Sequence, residues 1–363
     1  MPTRRSFLSS LSVALLVGAL LAPTAAAAEP TVTVVAQGLD NPRGMEVGPD
    51  GALYVAEAGR GGDLACVDGP EGEACFGTSG AITKVTPTSQ RRVITGLPSA
   101  ADPDGNFGGG PSDISFQGIG SAYIPLNLGG DPADRAGLPA AVRASGWLVR
   151  GNVRTGTWAK VADIAGFEGA NNPDGVEPPD SNPYSAATGR NGVAVVDAGG
   201  NSLLWVGANK RTRLLAVFPE EIVQGPGGAM PMQAVPNSVV RGPDGAWYVG
   251  QLTGFPFPVG GAKVFRVVPG QAPEVYAEGF TNIIDLDFTL DGRLLVLELA
   301  TNGMLSGDLS GRLAIVESDG SVEDVLTDGL VAPGGVTVGF SGAIFVSNFS
   351  VFAGAGQVLK IDL

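Results

Sequence analysis

Short apolar segments separated by turns fill most of this chain, and they recur as one unit. The unit is clearest at 42–57, where a short strand, a turn at Asp50-Gly51 and an apolar second strand follow one another. Asp-Gly, Asn-Gly and Ser-Gly are dipeptides typical of hairpin turns. The segment from the start of the unit to its turn glycine has the same length six times, ending at Gly51, Gly120, Gly192, Gly245, Gly292 and Gly342.

Each unit continues beyond its turn. The predicted second strands end in a polar residue and lie at 53–57, 122–127, 193–197, 247–251, 294–298 and 344–348. The predicted third strands lie at 81–85, 147–150, 203–206, 263–267, 313–316 and 358–361. Fourth strands are predicted at 92–97, 161–167, 273–280 and 322–330. Short apolar strands separated by turns indicate an all-β fold.

The sixth unit stops after its third strand, at Leu363, whereas Thr31–Leu39 resembles a fourth strand. We therefore predict a six-bladed β-propeller of four-stranded blades, closed by the N-terminal strand completing the C-terminal blade. Closure removes two open sheet edges, which are prone to aggregation. A seven-bladed ring with a degenerate blade within 98–146 and a β-sandwich are the alternatives.

Loop lengths give the predicted ring two different faces. The turns after first and third strands are short, whereas second-to-third strand loops such as 58–80 and inter-blade connections such as 168–182 are long. Both long classes emerge on the same side of a four-stranded blade, here called the long-loop face. Insertions on one face of a repeat array often mark its binding face. We expect a small molecule or a protein to bind there.

The N-terminal residues 1–28 read as an export signal. Arg4-Arg5-Ser6-Phe7-Leu8 precedes an apolar run and a small-residue cleavage site, which fits a twin-arginine signal, with an ordinary secretory signal as the alternative. The apolar run is too short to span a membrane, and no later stretch is long enough. Residues 29–363 then form a single propeller domain, and we expect a secreted or periplasmic monomer.

The amino-acid composition excludes several classes of binding partner and of catalytic site. Loss of Arg4 and Arg5 leaves 20 basic against 36 acidic residues, which argues against nucleic acid and anionic lipid as partners. The chain has no histidine, which excludes Ser-His-Asp and Cys-His catalysis and histidine-ligated zinc or haem. Its two cysteines, Cys66 and Cys75, are predicted to form a disulfide because the chain is exported, with free thiols as the alternative.

Several segments resemble known propeller repeats. Residues 53–59 and 195–204 are similar to NHL-type repeats. The chain more closely resembles the ScyD/ScyE family, through Asn41-Pro42-Arg43-Gly44, Asp180-Ser181-Asn182-Pro183-Tyr184 and Asp197-Ala198-Gly199-Gly200-Asn201. That family, named for a cyanobacterial sunscreen-pigment gene cluster, implies an exported six-bladed propeller. It supplies no catalytic residues to carry over.

The main candidate site is the channel mouth, where the innermost strands begin. Aligning the six units places Arg43, Asp113, Tyr184, Asn237 and Asp285 there, with Gly335 in the sixth. Asp113 and Asp285 are the candidate metal ligands, and Ca²⁺ is the candidate ion. The alternative is a plugged channel in which Arg43 neutralises one of these acids.

Three weaker candidates lie elsewhere. Acidic connections at 101–113 and 171–182 could bind Ca²⁺ or be ordinary solvated turns. The polar residue ending each second strand is expected to bond backbone in the adjoining loop. Exposed loop aromatics could grip a ligand or pack over the blades; they are Phe107, Phe255, Phe257, Phe349 and Phe352.

These patterns favour a non-catalytic scaffold that binds its ligand through the long-loop face and the channel mouth. The alternative is a Ca²⁺-dependent lactonase, hydrolase or lyase acting on a small metabolite. The absence of histidine weighs against reactions that need a histidine acid or base, but not against a carboxylate–calcium lactonase.

Overall fold

The chain folds into six four-stranded antiparallel blades, as the repeats predict. This computed structural model describes Met1 and residues 30–69 and 72–363; the predicted export signal lies outside the described residues. Among the described residues, no helix is long and apolar enough to cross a membrane.

The strands are numbered along the chain, and each blade contributes one to each of four layers. The innermost strands are β2 (Pro42–Val47), β7 (Ser115–Phe116), β11 (Pro183–Gly189), β17 (Pro236–Arg241), β21 (Ile283–Phe288) and β25 (Gly335–Val338). The second strands are β3 (Leu53–Glu57), β8 (Ser121–Pro125), β12 (Gly192–Asp197), β18 (Trp247–Gln251), β22 (Leu294–Glu298) and β26 (Ile344–Asn348).

The outer half of each blade completes the sheet. The third strands are β5 (Gly72–Thr86), β9 (Trp147–Asn152), β13 (Ser202–Gly207), β19 (Ala262–Val267), β23 (Arg312–Val316) and β27 (Gly356–Asp362). The outermost strands are β6 (Ser89–Ala101), β10 (Trp158–Asp163), β14 (Thr212–Val217), β20 (Glu274–Phe280), β24 (Val322–Leu326) and β1 (Thr31–Leu39). The remaining elements are β4 (Ala65–Gly69), β15 (Glu221–Gly225), β16 (Gly228–Met232), helix α1 (Ile164–Asn171) and 3-10 turns at Asp134–Gly137, Ala140–Val142 and Met304–Ser306.

The N-terminal strand closes the ring, as predicted. Strand β1 pairs antiparallel with β27, so the sixth sheet has the order β1-β27-β26-β25. The sixth blade therefore combines Thr31–Leu39 with the last three strands of the chain. The seven-bladed and sandwich alternatives are excluded.

The core lies between neighbouring blades. Every residue of β3, β12, β18 and β22 is buried, because each second strand is covered by a sheet on both sides. Tyr54 of the first blade packs edge-on against Phe116 of the second, with ring centroids 4.9 Å apart. Burying an aromatic side chain of this kind contributes roughly 1.5–3 kcal/mol. Contacts between blades therefore hold the ring together.

Four local features differ from the predicted elements. The strand predicted at 161–167 ends at Asp163, and α1 begins at Ile164. Asp163 caps this helix by accepting the Gly166 N–H at 2.8 Å. The sequence prediction missed this cap because the short apolar run around it does not distinguish a strand from a helix. Predicted loops also contain the hairpins β4–β5 and β15–β16. In the third unit Asn191, with φ of 68°, adopts the left-handed conformation that the turn glycine itself adopts in the other five units.

The predicted disulfide is present between Cys66 and Cys75, which face each other across β4 and β5. Five of the six polar residues predicted to end the second strands accept backbone N–H groups, as predicted, whereas neither side-chain polar atom of Gln251 has a hydrogen-bond partner among the described residues. Glu57 accepts the Asp40 N–H at 2.8 Å, and Asn348 accepts the Val331 N–H at 2.7 Å. These five side chains bond their blades to the connections that precede them.

An ion-pair network stabilises the contact between the sixth and the first blade, where the ring closes. Arg92 of β6 donates to Glu57 at 2.6 Å and to Asp40 at 2.8 Å, and Asp40 directly follows β1. The Glu57 side chain is 1% exposed, and Arg92 is 42% exposed. The network therefore connects the outermost strand of the sixth blade to the first blade.

Replacing Arg92→Gln is expected to destabilise the fold, because Glu57 would stay buried without its cation. We expect a loss of about 2–3 kcal/mol, below the range for fully buried pairs because Arg92 is partly exposed. Urea denaturation measures this loss. Arg91→Gln changes an exposed neighbour and is the matched control. Equal stabilities of the two variants would contradict the assigned role of Arg92.

Candidate functional site in the central channel

The innermost strand of each blade has a strand neighbour on one side only. Its other edge faces the channel and leaves backbone N–H groups that need acceptors. Asp113 of the second blade accepts the Ala186 N–H of the third at 3.0 Å, together with the Ser185 hydroxyl at 2.8 Å. Asp285 of the fifth blade accepts the Val336 N–H of the sixth at 2.8 Å. Each side chain thus bonds the inner strand of the next blade.

A second layer of such bonds lies two residues further along the inner strands. Glu46 accepts the Phe116 N–H at 2.6 Å, and Asp287 accepts the Val338 N–H at 2.8 Å. Ser115 makes the equivalent bond from its hydroxyl oxygen, accepting the Thr188 N–H at 3.0 Å. Alternation along a strand explains the spacing, because residues two apart point to the same side.

The four carboxylates line one cavity of about 310 Å³ in the channel. Glu46, Asp113, Asp285 and Asp287 are each half-buried and reach the cavity. The exposed lining residues Arg241 and Phe340 lie where inner strands lead into the tight turns. The cavity therefore opens away from the long-loop face.

The cavity is lined by acidic groups whose pKa values are all raised. Burial raises the pKa of Glu46 to about 8, and the charges of Asp113 and Asp287 add to the effect. Burial likewise raises the pKa of Asp113 and of Asp287 to about 6. The pKa of Asp285 lies well above its ordinary value because of burial and then the charge of Asp113. Within residues 30–69 and 72–363, none of the four forms an ion pair.

The predicted channel-mouth residues divide into two groups. Asp113 and Asp285 line the cavity, whereas Arg43, Tyr184 and Asn237 do not. Arg43 donates to the Gly108 carbonyl at 2.6 Å and lies 3.5 Å from the Tyr184 hydroxyl. In the described part of the chain Arg43 pairs with no acid, so it neutralises neither aspartate.

Sequence alignment of the units missed Glu46 and Asp287. Asp287 lies two residues beyond the aligned position Asp285, on the same side of its strand, so one more step of the period of two would have found it. Glu46 lies three residues beyond the aligned position Arg43, and the same step from Arg43 leads to Met45 instead.

The other predicted candidates are scattered. In the 101–113 connection, Asp102 accepts the Asn106 N–H at 2.7 Å, as an ordinary turn residue does. Phe107 and Phe255 are 64% and 47% exposed, whereas Phe349 and Phe352 lie against each other with centroids 6.3 Å apart. Binding at the long-loop face stays a prediction.

Comparison with known proteins supports the fold. The chain is similar to a PQQ-bound aldose sugar dehydrogenase from Streptomyces coelicolor at 12% identity, over 94% of this chain and 99% of that chain, with a TM-score of 0.54. A glucose dehydrogenase shares 13% identity over 92% and 99% of the chains, with a TM-score of 0.51. A virginiamycin B lyase from Staphylococcus aureus shares 12% over 92% and 100%, with a TM-score of 0.49.

At such low identities the similarities to the two dehydrogenases show the β-propeller fold alone, and the similarity to the lyase carries no argument. No family model matches this chain, and no curated protein matches it. Membership of the ScyD/ScyE family therefore stays a prediction.

The raised pKa values predict how stability depends on pH. A carboxyl with a higher pKa in the folded state keeps its proton when the unfolded chain has lost it, so ionisation favours unfolding. For Glu46 the stability falls as the pH rises from 4.5 towards about 8. We expect a lower melting temperature at pH 8 than at pH 5.5, and a smaller difference in Glu46→Gln, which still accepts the Phe116 N–H.

Thermal melts in matched buffers measure this difference. Glu278→Gln removes an exposed carboxylate and is the control, expected to behave like the unmodified chain. If the melting temperature of Glu46→Gln depends on pH as strongly as that of the unmodified chain, the raised pKa assigned to Glu46 is contradicted.

Proposed function

We propose that this protein is an exported β-propeller that binds a small, positively charged organic molecule in its central channel. The supporting observation is the group of four carboxylates around one cavity, with no cation paired to them among the described residues. Buried charges are costly unless they are paired. A bound cation would supply the missing partner.

Structural need alone does not explain these acids. Ser185 and Ser115 occupy equivalent inner-strand positions and accept N–H groups of the next blade from neutral hydroxyls, Ser185 from Val239 at 3.2 Å and Ser115 from Thr188 at 3.0 Å. A hydroxyl therefore serves the same backbone group without an unpaired charge. The carboxyl groups of Glu46, Asp113, Asp285 and Asp287 are thus available for another purpose, and a bound cation would favour their ionised forms.

The dimensions favour an organic cation over a bare metal ion. A cavity of about 310 Å³ lies at the lower end of the range for small-molecule sites. Among the described residues, no three carboxylates bring their oxygens within 4.8 Å of one another, as a compact metal site would require. At the open end of the cavity, the lining residue Phe340 is 70% exposed. This side chain would contact an apolar part of the ligand.

A Ca²⁺-dependent hydrolase or lyase is the second candidate. It is favoured by the charge of Asp113, which together with burial raises the pKa of Asp285; these are the two acids predicted as metal ligands. Two carboxylates could share one hydrated ion, with water as further ligands. Such an ion would polarise a substrate carbonyl. The small-molecule scaffold and this enzyme differ in whether Ca²⁺ or an organic cation occupies the channel.

Matched probes test the proposed function. Calorimetry with benzylamine and with benzyl alcohol compares a cation with a neutral molecule of similar shape. We expect the amine alone to bind, and we expect Asp113→Asn and Asp287→Asn each to weaken it about tenfold, or about 1.4 kcal/mol. Asparagine still offers an oxygen to the neighbouring N–H groups. Asp328→Asn, at an exposed position, is the control.

The outcomes separate the candidates. Equal binding of the alcohol, or amine binding that is unchanged in both channel variants, would contradict a cation site. Ca²⁺ binding that is lost in Asp113→Asn, without amine binding, would replace the proposal by the metal-dependent enzyme.

A further inference from the structure

A second acidic cluster lies outside the channel, in the connection between the second and third blades. It is centred on Glu168 of α1, which is fully buried at 0% exposure. Neither of its carboxylate oxygens has a hydrogen-bond partner among the described residues. Buried polar atoms are nearly always bonded, and an unpaired buried carboxylate is especially costly. The described part of the folded chain therefore supplies no hydrogen-bond partner for the Glu168 carboxylate.

The backbone beneath Glu168 is shaped to admit carboxylates. The turn after β12 contains Gly199 and Gly200. A Cβ on Gly200 would collide with Oε2 of Glu168, and a Cβ on Gly199 would lie 2.8 Å from the carboxylate carbon of Asp180. Two consecutive glycines thus let two carboxylates approach the same turn from α1 and from the connection.

Hydrogen bonds fix the rest of this turn. Asp197, itself fully buried, accepts the Asn182 N–H at 2.6 Å and the Ser181 hydroxyl at 2.7 Å. Asp174 accepts from the Asn201 amide at 2.8 Å. The cluster is therefore held by two structural acids, while Glu168 keeps both of its oxygens free of donors.

Charge in the cluster is of one sign. Burial, and then the negative charges of Asp197, Asp174 and Asp180, raise the pKa of Glu168 to about 8. The cluster also contains a neutral oxygen without a donor, the buried Oδ1 of Asn182. None of these residues lines the channel cavity, so this site is separate from the proposed ligand site.

We propose that this cluster binds a Ca²⁺ ion, with Glu168 supplying both carboxylate oxygens and Asp180 and Asn182 supplying further ligands. Ca²⁺ takes six to eight oxygens and accepts bidentate carboxylates, amide oxygens and water. The chain has no histidine, and the donors here are oxygens alone, which suits a hard cation and not zinc. Because no three carboxylates here converge within 4.8 Å in the described chain, neutral oxygens and water complete the set. The ion would fasten α1 to the third blade.

Calcium binding by the full-length exported protein tests this assignment. After removal of divalent ions with EDTA, calorimetry with CaCl₂ and thermal melts with and without CaCl₂ are measured. We expect one site and a rise in melting temperature. Glu168→Gln should weaken binding by at least roughly 100-fold and abolish the rise. Its melting temperature in EDTA should not fall below that of the unmodified protein, which shows that the variant folds.

Two matched variants localise the effect. Glu177→Gln makes the same change at an exposed position of the same connection, and Asp113→Asn removes a channel acid. Both should keep the site and the rise in melting temperature. Absence of Ca²⁺ binding in the unmodified protein, or binding unchanged in Glu168→Gln, would overturn the proposal. Loss in Glu177→Gln as well would contradict the assignment to Glu168, and loss confined to Asp113→Asn would place the ion in the channel.

Discussion

The open edge of each innermost strand is the constraint on which this structure depends. A propeller blade pairs that strand on one side only, and the ring turns the unpaired side towards a narrow channel. Backbone N–H groups there require acceptors, and water has limited access. The chain meets this need with side chains of the preceding blade, at two positions spaced by one strand period. Asp285 and Asp287 show both positions in a single strand.

These hydrogen bonds connect the stability of the ring with the charge of its channel. The side chains that bond neighbouring blades also decide the charge of the channel. Serines at Ser115 and Ser185 leave it neutral, whereas Glu46, Asp113, Asp285 and Asp287 make it acidic. Acids at these positions gain N–H bonds but are buried near one another, and burial has the larger effect on their pKa values. Costs of this kind commonly persist where a binding site requires them.

Much of the fold could be predicted because it is repeated. A turn dipeptide that recurs after a constant segment marks the inner half of every blade, and a missing fourth strand at Leu363 indicates the closing role of Thr31–Leu39. The structure differs from the predicted elements where an insertion interrupts the repeat. Helix α1 replaces part of a predicted strand, because a short apolar run has no period that separates strand from helix.

The candidate sites were predictable only in part, for a physical reason. Asp113 and Asp285 follow from alignment, since equivalent positions of a ring meet at its axis. Glu168 does not, because it lies in the inserted helix and its significance depends on two glycines about thirty residues later in the chain. Nor does the sequence reveal that Arg43 bonds the Gly108 carbonyl and leaves the acids unpaired. Such facts depend on long-range packing.

Titration of individual carboxyl groups by carbon-13 NMR tests the central claim most directly. The claim is that the carboxyl groups that bond neighbouring blades have no cationic side chain paired with them in the channel. It predicts a pKa near 8 for Glu46 and near 6 for Asp113 and Asp287 in the ligand-free protein. Ordinary values of 4.5 for Glu46 and 3.8 for both aspartates would show a solvated or neutralised channel and contradict it.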